Sequence, residues 1–218
     1  MKLWKKVLAA VTAGMLCLGC AGVSGLQGVL GSVSAVLPVC AAENDTAYTV
    51  TVPVGTRTTQ LTYTVNADDT VEITDCENDA AGDLEIPAEI DGKTVTSMGY
   101  YSFSYCANLT SVIIPNGVAN IGDNAFGNCE KLENITIPSS VTNIGDRSFA
   151  GCENLTSVII PNSVENIGYS AFDGCTSLAE ITIPSSVTSI GGNAFLDTPW
   201  LAARQEENPL VIVNGILL

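Results

Sequence analysis

LTSVIIPNGVANIGDNAFGNCEK (109–131) runs without a break into LENITIPSSVTNIGDRSFAGCEN (132–154), LTSVIIPNSVENIGYSAFDGCTS (155–177) and LAEITIPSSVTSIGGNAFLDTPW (178–200). Leu109, Leu132, Leu155, Leu178 and Leu201 thus recur every 23 residues. A fixed period of this length marks an array of stacked supersecondary units. In the first unit the recurring skeleton is Leu109, Val112, Ile114, Pro115, Val118, Ile121, Gly122, Ala125, Phe126 and Cys129. Val112 and Ile114 stand two apart and face one side of a short strand. Pro115 has no N–H and ends it. Val118 and Ile121 return to the interior, Gly122 permits a sharp bend, and Ala125, Phe126 and Cys129 have the spacing of a single helical turn. No unit can bury its apolar edge alone. Units stacked at about 4.8 Å can, so the period predicts a solenoid. The first and third units match best, as do the second and fourth, so the strand middles alternate as Ile113, Thr136, Ile159 and Thr182.

Outward from the array the pattern weakens. Leu84, Ile86, Pro87, Val95, Met98, Gly99, Phe103 and Cys106 form an imperfect first unit, with five extra residues between Pro87 and Val95 centred on the turn signal Asp91-Gly92. Upstream, YTVNADDTVEIT (63–74) reads as a β-hairpin that covers the open first coil. Downstream, Thr198 and Pro199 suit the start of a helix over WLAARQEEN, and Asn214-Gly215 suits a type I′ hairpin turn. The chain stops on Ile216-Leu217-Leu218, which predicts an uncovered edge awaiting further chain or a partner.

Lys2, Lys5 and Lys6 precede an uncharged apolar run from Val7 to Ala42, the pattern of a secretory signal peptide. A retained membrane anchor, or a lipid on Cys20, are the alternatives; each of them exports the protein. The 218 residues carry 8 Lys and Arg, 23 Asp and Glu, no His, and a net charge of −15. That balance excludes phosphate-neutralising nucleic-acid binding and attraction to anionic membranes. Without histidine, the usual general base and the commonest metal ligand are missing, which argues against an enzyme.

The unit LxxIxIPxxVxxIGxxAFxxCxx resembles the BspA-like leucine-rich repeat of bacterial surface proteins over roughly 84–200. The resemblance implies an α/β repeat fold: a leucine-rich-repeat solenoid with a parallel β-sheet on the concave face, short helical turns and an amino-terminal β-hairpin cap. The organisation expected is a signal peptide (1–42), a β cap (43–83), repeats (84–200), and a helix plus truncated hairpin (201–218). Function is implied as a secreted or cell-surface, non-catalytic binding or adhesion module. The partner would be a protein of a host or bacterial surface or matrix, or a glycan. No cofactor and no nucleic acid are expected, and no membrane unless the amino-terminal segment is retained. A structural spacer or a piece of a larger surface protein is the alternative.

The candidate site is the set of strand positions facing away from the core: Thr110, Ser111, Ile113; Glu133, Asn134, Thr136; Thr156, Ser157, Ile159; and Ala179, Glu180, Thr182. Solenoids bind through such extended faces. Thr and Ile are also good strand formers, and the face lacks the Trp, Tyr and Arg of typical hot spots. Cys106, Cys129, Cys152 and Cys175 share one repeat position and read as a ladder of buried thiols, with disulfides the alternative that export permits. The acidic stretch 75–83 reads as a solvated loop, with calcium as the alternative; the Gly and Glu of an EF-hand are replaced by Ala80 and Ile86. Glu133, Glu153, Glu165 and Glu180 vary in repeat position and read as solvated faces. Phe103, Phe126, Phe149, Phe172 and Phe195 recur once per unit and read as core.

Overall fold

The computed structural model describes residues 46–218. The segment read as a signal peptide, 1–42, lies outside the described residues.

The strands β1 (Tyr48–Val54), β2 (Arg57–Val65) and β3 (Val71–Cys76) form an antiparallel meander. The imperfect coil follows with β4 (Ala81–Glu85), β5 (Glu89–Ile90) and β6 (Lys93–Met98). Each regular coil then supplies one strand from its LxxIxI segment and one two-residue strand. These are β7 (Asn108–Ile113) and β8 (Asn120–Ile121), β9 (Asn134–Thr136) and β10 (Asn143–Ile144), β11 (Ser157–Ile159) and β12 (Asn166–Ile167), β13 (Glu180–Thr182) and β14 (Ser189–Ile190). On the concave side β4, β7 and β9 pair in parallel, and β11 and β13 form a second parallel pair. On the next side β6, β8, β10, β12 and β14 pair in parallel.

The third side carries the turn expected to be helical. It is closed by tight bonds such as Ala125 N–H to Gly122 O (3.2 Å) and Gly127 N–H to Asn124 O (3.0 Å). The alternate N–H groups reach the following coil instead: Asn124, Phe126 and Asn128 donate to the carbonyls of Asp146, Ser148 and Ala150 at 2.7–2.8 Å. The same pattern links every successive pair of coils from Tyr101 to Leu196. This arrangement turns the chain and satisfies its backbone between coils at the same time. It needs two left-handed residues per coil, at Tyr101, Asn124, Arg147, Ser170 and Asn193, and at Tyr105, Asn128, Gly151, Gly174 and Asp197.

The recurring glycines Gly122, Gly145, Gly168 and Gly191 serve a different purpose from the bend expected of them. None has a positive φ. Each donates its N–H to the coil before it, at 2.8 Å, and sits so close that a Cβ would strike that coil's backbone or its fixed aspartate. Close approach between coils, and not chain reversal, requires glycine there.

Inside the coils the five phenylalanine rings stack at centroid spacings of 4.9, 5.4, 5.2 and 5.6 Å, and Trp200 closes the column at 4.8 Å. Cys76, Cys106, Cys129, Cys152 and Cys175 are free and buried. The thiols of Cys129, Cys152 and Cys175 donate to the carbonyls of Phe103, Phe126 and Phe149, each in the coil before, at 3.1–3.2 Å. Burial pushes the Cys175 thiol up to about 12 and raises that of Cys152; a hydrogen bond with Cys76, then burial, raises that of Cys106. Thiols held neutral react poorly. At about pH 8 these cysteines should resist alkylation until the protein unfolds; labelling faster than global unfolding would contradict the ladder. The unfolded Cys175 thiol ionises near 9.0, below its folded value. Stability is therefore full below that pH and falls as pH rises toward about 12, which melting curves across the alkaline range will show.

The amino-terminal cap does more than cover one face. β3 pairs in parallel with β6, and β1 pairs antiparallel with β4, so the meander bridges both strand-bearing sides of the first coil. The acidic stretch is split by this arrangement: Asp75 and Cys76 end β3, Ala81 to Asp83 begin β4, and Glu77 accepts the Gln60 N–H at 3.0 Å. Among the described residues no three metal-ligating side chains converge. At the other end, Thr198 caps helix α1 (Pro199–Glu207) by accepting the Leu201 N–H at 3.2 Å. The hairpin of β15 (Ile212–Val213) and β16 (Ile216–Leu217) follows, and the Asn214 amide donates to the carbonyls of Pro184 and Val187 at 2.8 and 3.1 Å. Trp200, Leu201 and Val211 are buried there. The last coil is thus covered in part, while Leu210, Ile212 and Leu217 remain exposed.

Candidate binding surface

The alternation that buries Val112 and Ile114 turns Ser111 and Ile113 outward, with Thr110 in the row before them, and the same three positions recur in each coil. Parallel register sets the outward residues side by side: Ser111 beside Asn134, Ile113 beside Thr136, Ser157 beside Glu180, and Ile159 beside Thr182. Glu133, Thr156 and Ala179 are exposed with them, and Thr110 and Ser111 are half-buried. The Glu133 N–H donates to Thr110 O (2.9 Å) and the Ala179 N–H to Thr156 O (3.1 Å), so the row before each strand is ordered too. The twelve positions therefore form two adjoining patches, separated where β9 and β11 do not pair. Two apolar side chains stand out of this polar face, Ile113 at 44% and Ile159 at 74% exposure.

At the amino-terminal end the face opens into a groove of about 820 Å³. The ends of the concave strands supply Ile113, Ile114, Pro115, Thr136 and Pro138. The cap supplies Val50, Val52 and Pro53 from β1. The five-residue insertion supplies the remaining wall, as the β5–β6 hairpin with Asp91 and Gly92 at its left-handed tip. The phenol of Tyr63 donates to Asp91 Oδ2 at 2.6 Å and ties that tip to β2. Burial, then this bond, raises the Tyr63 phenol far above its ordinary value, so the tie persists across the neutral range. Glu85, Glu89 and Asp91 line the groove, and no Lys or Arg is among the described residues that do. The chemistry is an apolar channel in a negative field.

Ile113 and Thr136 are the two sequence-derived positions that reach this groove. The wall residues Val50, Val52 and Ile90 look like ordinary core in the sequence. Only the insertion at the end of a concave strand signals that something unusual is built there.

The BspA type leucine rich repeat region matches this chain in six copies over residues 88–203. Among solved structures, the leucine-rich repeat protein of T. pallidum is 32% identical, with a TM-score of 0.60 over 62% of this chain and 63% of that one. A leucine-rich repeat protein of Bacteroides ovatus is 40% identical, with a TM-score of 0.56 over 62% of this chain and 37% of that one. The pneumococcal vaccine antigen PcpA, 23% identical with a TM-score of 0.50, shares the fold. The chain thus spans less than two thirds of the length of the T. pallidum and Bacteroides proteins. No curated protein matches it. With the repeat matched over more than half its length, and with coils stacked in the register that the repeat dictates, the chain belongs to the BspA-type leucine-rich repeat family.

Proposed function

We propose that the protein is an exported, non-catalytic binding module that holds an extended segment of a partner protein on its concave face. The observation that carries this reading is the groove: about 820 Å³ of largely apolar lining with three carboxylates, continuous with the exposed strand face through Ile113 and Thr136. Such a channel suits a segment combining apolar and basic side chains, since the carboxylates attract positive charge and the lining removes apolar surface from water. Export is supported by the Lys2, Lys5 and Lys6 segment before the long apolar run. The adhesion role is supported by the resemblance of the repeat unit to those of bacterial surface proteins.

The test is a binding screen of the purified chain against immobilised host-matrix and bacterial surface proteins. Binding to at least one is expected, weakening with salt. Ile113→Ser should lower that affinity about tenfold, because truncating an exposed anchor removes on the order of 1–2 kcal/mol of buried apolar contact. It should leave the melting temperature nearly unchanged, as surface substitutions do. Recovery no better than that of an unrelated acidic protein would end the proposal.

A further inference from the structure

The turn side carries a second feature that neither the repeat nor the groove explains. Four of the six tyrosines lie on it: Tyr100, Tyr101, Tyr105 and Tyr169. All four are exposed, Tyr100 at 66% and Tyr105 at 59%. Tyr101 and Tyr105 occupy the two left-handed positions of the first coil, with φ of 60° and 64°. Later coils place Asn, Ser, Gly, Asp or Arg there. Small polar residues and glycine tolerate this backbone; a bulky ring there is an outlier. The first coil thus accepts strain twice to display aromatic rings that bury little and add nothing to the core. Strain kept without a folding benefit points to function.

The surroundings define the chemistry. The rings of Tyr100 and Tyr101 meet edge to face at 4.1 Å. Tyr169 sits at the repeat position of Tyr100, three coils along, about 14 Å away at one strand spacing per coil. Its ring lies beside Gly192, where even an added Cβ would be 3.8 Å from it, and its hydroxyl accepts a hydrogen bond from the Asn193 amide at 3.2 Å. Between these rings, at the same repeat position, stand Asp123 and Asp146. Their Oδ1 atoms accept the N–H groups of Asp146 and Tyr169 at 2.9 and 2.7 Å, which fixes both carboxylates. Arg147 stands 5.5 Å from the Tyr169 ring centroid.

We infer that this ridge of exposed tyrosines and fixed carboxylates binds a neutral glycan chain. Ring faces cover the apolar faces of sugars, and the second oxygens of Asp123 and Asp146 accept hydroxyl hydrogens. The four rings stand on an exposed surface, whereas a protein hot spot needs a desolvated pocket. The net charge of −15 and the two aspartates oppose anionic sugars. This site is separate from the groove and does not depend on the reading given for it.

The experiment is affinity electrophoresis of the purified full chain through gels containing glucan, mannan, galactan or a sialylated glycan. Retardation by at least one neutral polymer is expected. The triple variant Tyr100→Ala, Tyr101→Asn, Tyr105→Gly should lose at least tenfold in affinity while its melting temperature stays level or rises, since Asn and Gly at positions 101 and 105 relieve the left-handed strain. A merely structural role for the tyrosines would lower the melting temperature instead. Ile113→Ser, in the groove, should leave the retardation unchanged. No retardation by any neutral polymer, retardation equal in the triple variant, or retention by the sialylated glycan alone would each overturn the inference.

Discussion

Phe149→Ala should lower the folding stability by about 3–5 kcal/mol, the range for truncating a fully buried ring whose site cannot collapse. Phe149 is fully buried in the middle of the column, 5.4 Å from the Phe126 ring and 5.2 Å from that of Phe172. The backbone on either side is fixed: the Phe149 N–H donates to Ala171 O at 2.8 Å, and its carbonyl accepts the Cys175 thiol at 3.1 Å. The coils cannot close over the gap without breaking these bonds. Because a solenoid is held by neighbour-to-neighbour interfaces, the loss should also separate the two halves. Urea unfolding followed by circular dichroism is then expected to broaden, with a lower slope, as two-state behaviour fails. Phe149→Leu, which keeps most of the volume, should cost less than half as much. A loss for alanine below about 1 kcal/mol would mean that the ring column does not hold the coils together.

Gly168→Ala is expected to be at least as damaging, by the opposite mechanism. A Cβ at Gly168 would stand 2.5 Å from the Asp146 nitrogen and 2.5 Å from the Gly145 carbonyl carbon. Both are backbone atoms, so no side chain can rotate away. The Gly168 N–H is bonded to Ile144 O at 2.8 Å, and relief requires prying this coil from its neighbour. Overpacking typically costs 1–3 kcal/mol, and about 3 or more is expected where only backbone can yield. Gly174→Ala is the control. Its φ is +71° and the nearest atom to a Cβ is 3.7 Å away, so it should lose only the roughly 1–2 kcal/mol of left-handed strain. Thermal melts of the two variants compare close approach with backbone conformation directly. Equal losses would show that packing between coils is not what reserves position 168 for glycine.

These glycines also show where reading the sequence stops. The period, the inward faces and the phenylalanine and cysteine columns follow from residue type and spacing, because each is a matter of one side chain against its counterpart 23 residues on. Gly122 and its counterparts are equally visible as a pattern. The pattern alone does not distinguish a chain reversal from a close approach, since both need a missing Cβ. The turn over Asp123 to Cys129 has helical spacing, yet alternate N–H groups in it are claimed by the next coil, a competitor that a single unit does not display. The groove is hidden for a similar reason. Val50 and Ile90 lie 40 residues apart and become opposite walls only when the cap and the hairpin fold against one coil. The tyrosines are plain in the sequence, but the φ that makes Tyr101 and Tyr105 costly is not.

The double attachment of the cap also bears on how the molecule assembles in time. Joining β3 to β6 and β1 to β4 makes the meander and the first coil one unit, whose contacts close several long loops. Every later coil makes its strand pairs with neighbours one period away, so its loop closures are short. A polypeptide that emerges amino-terminus first presents the slow, difficult part before the fast, repetitive part. The register set where β6 meets β8 is kept, residue for residue, through every coil to β14.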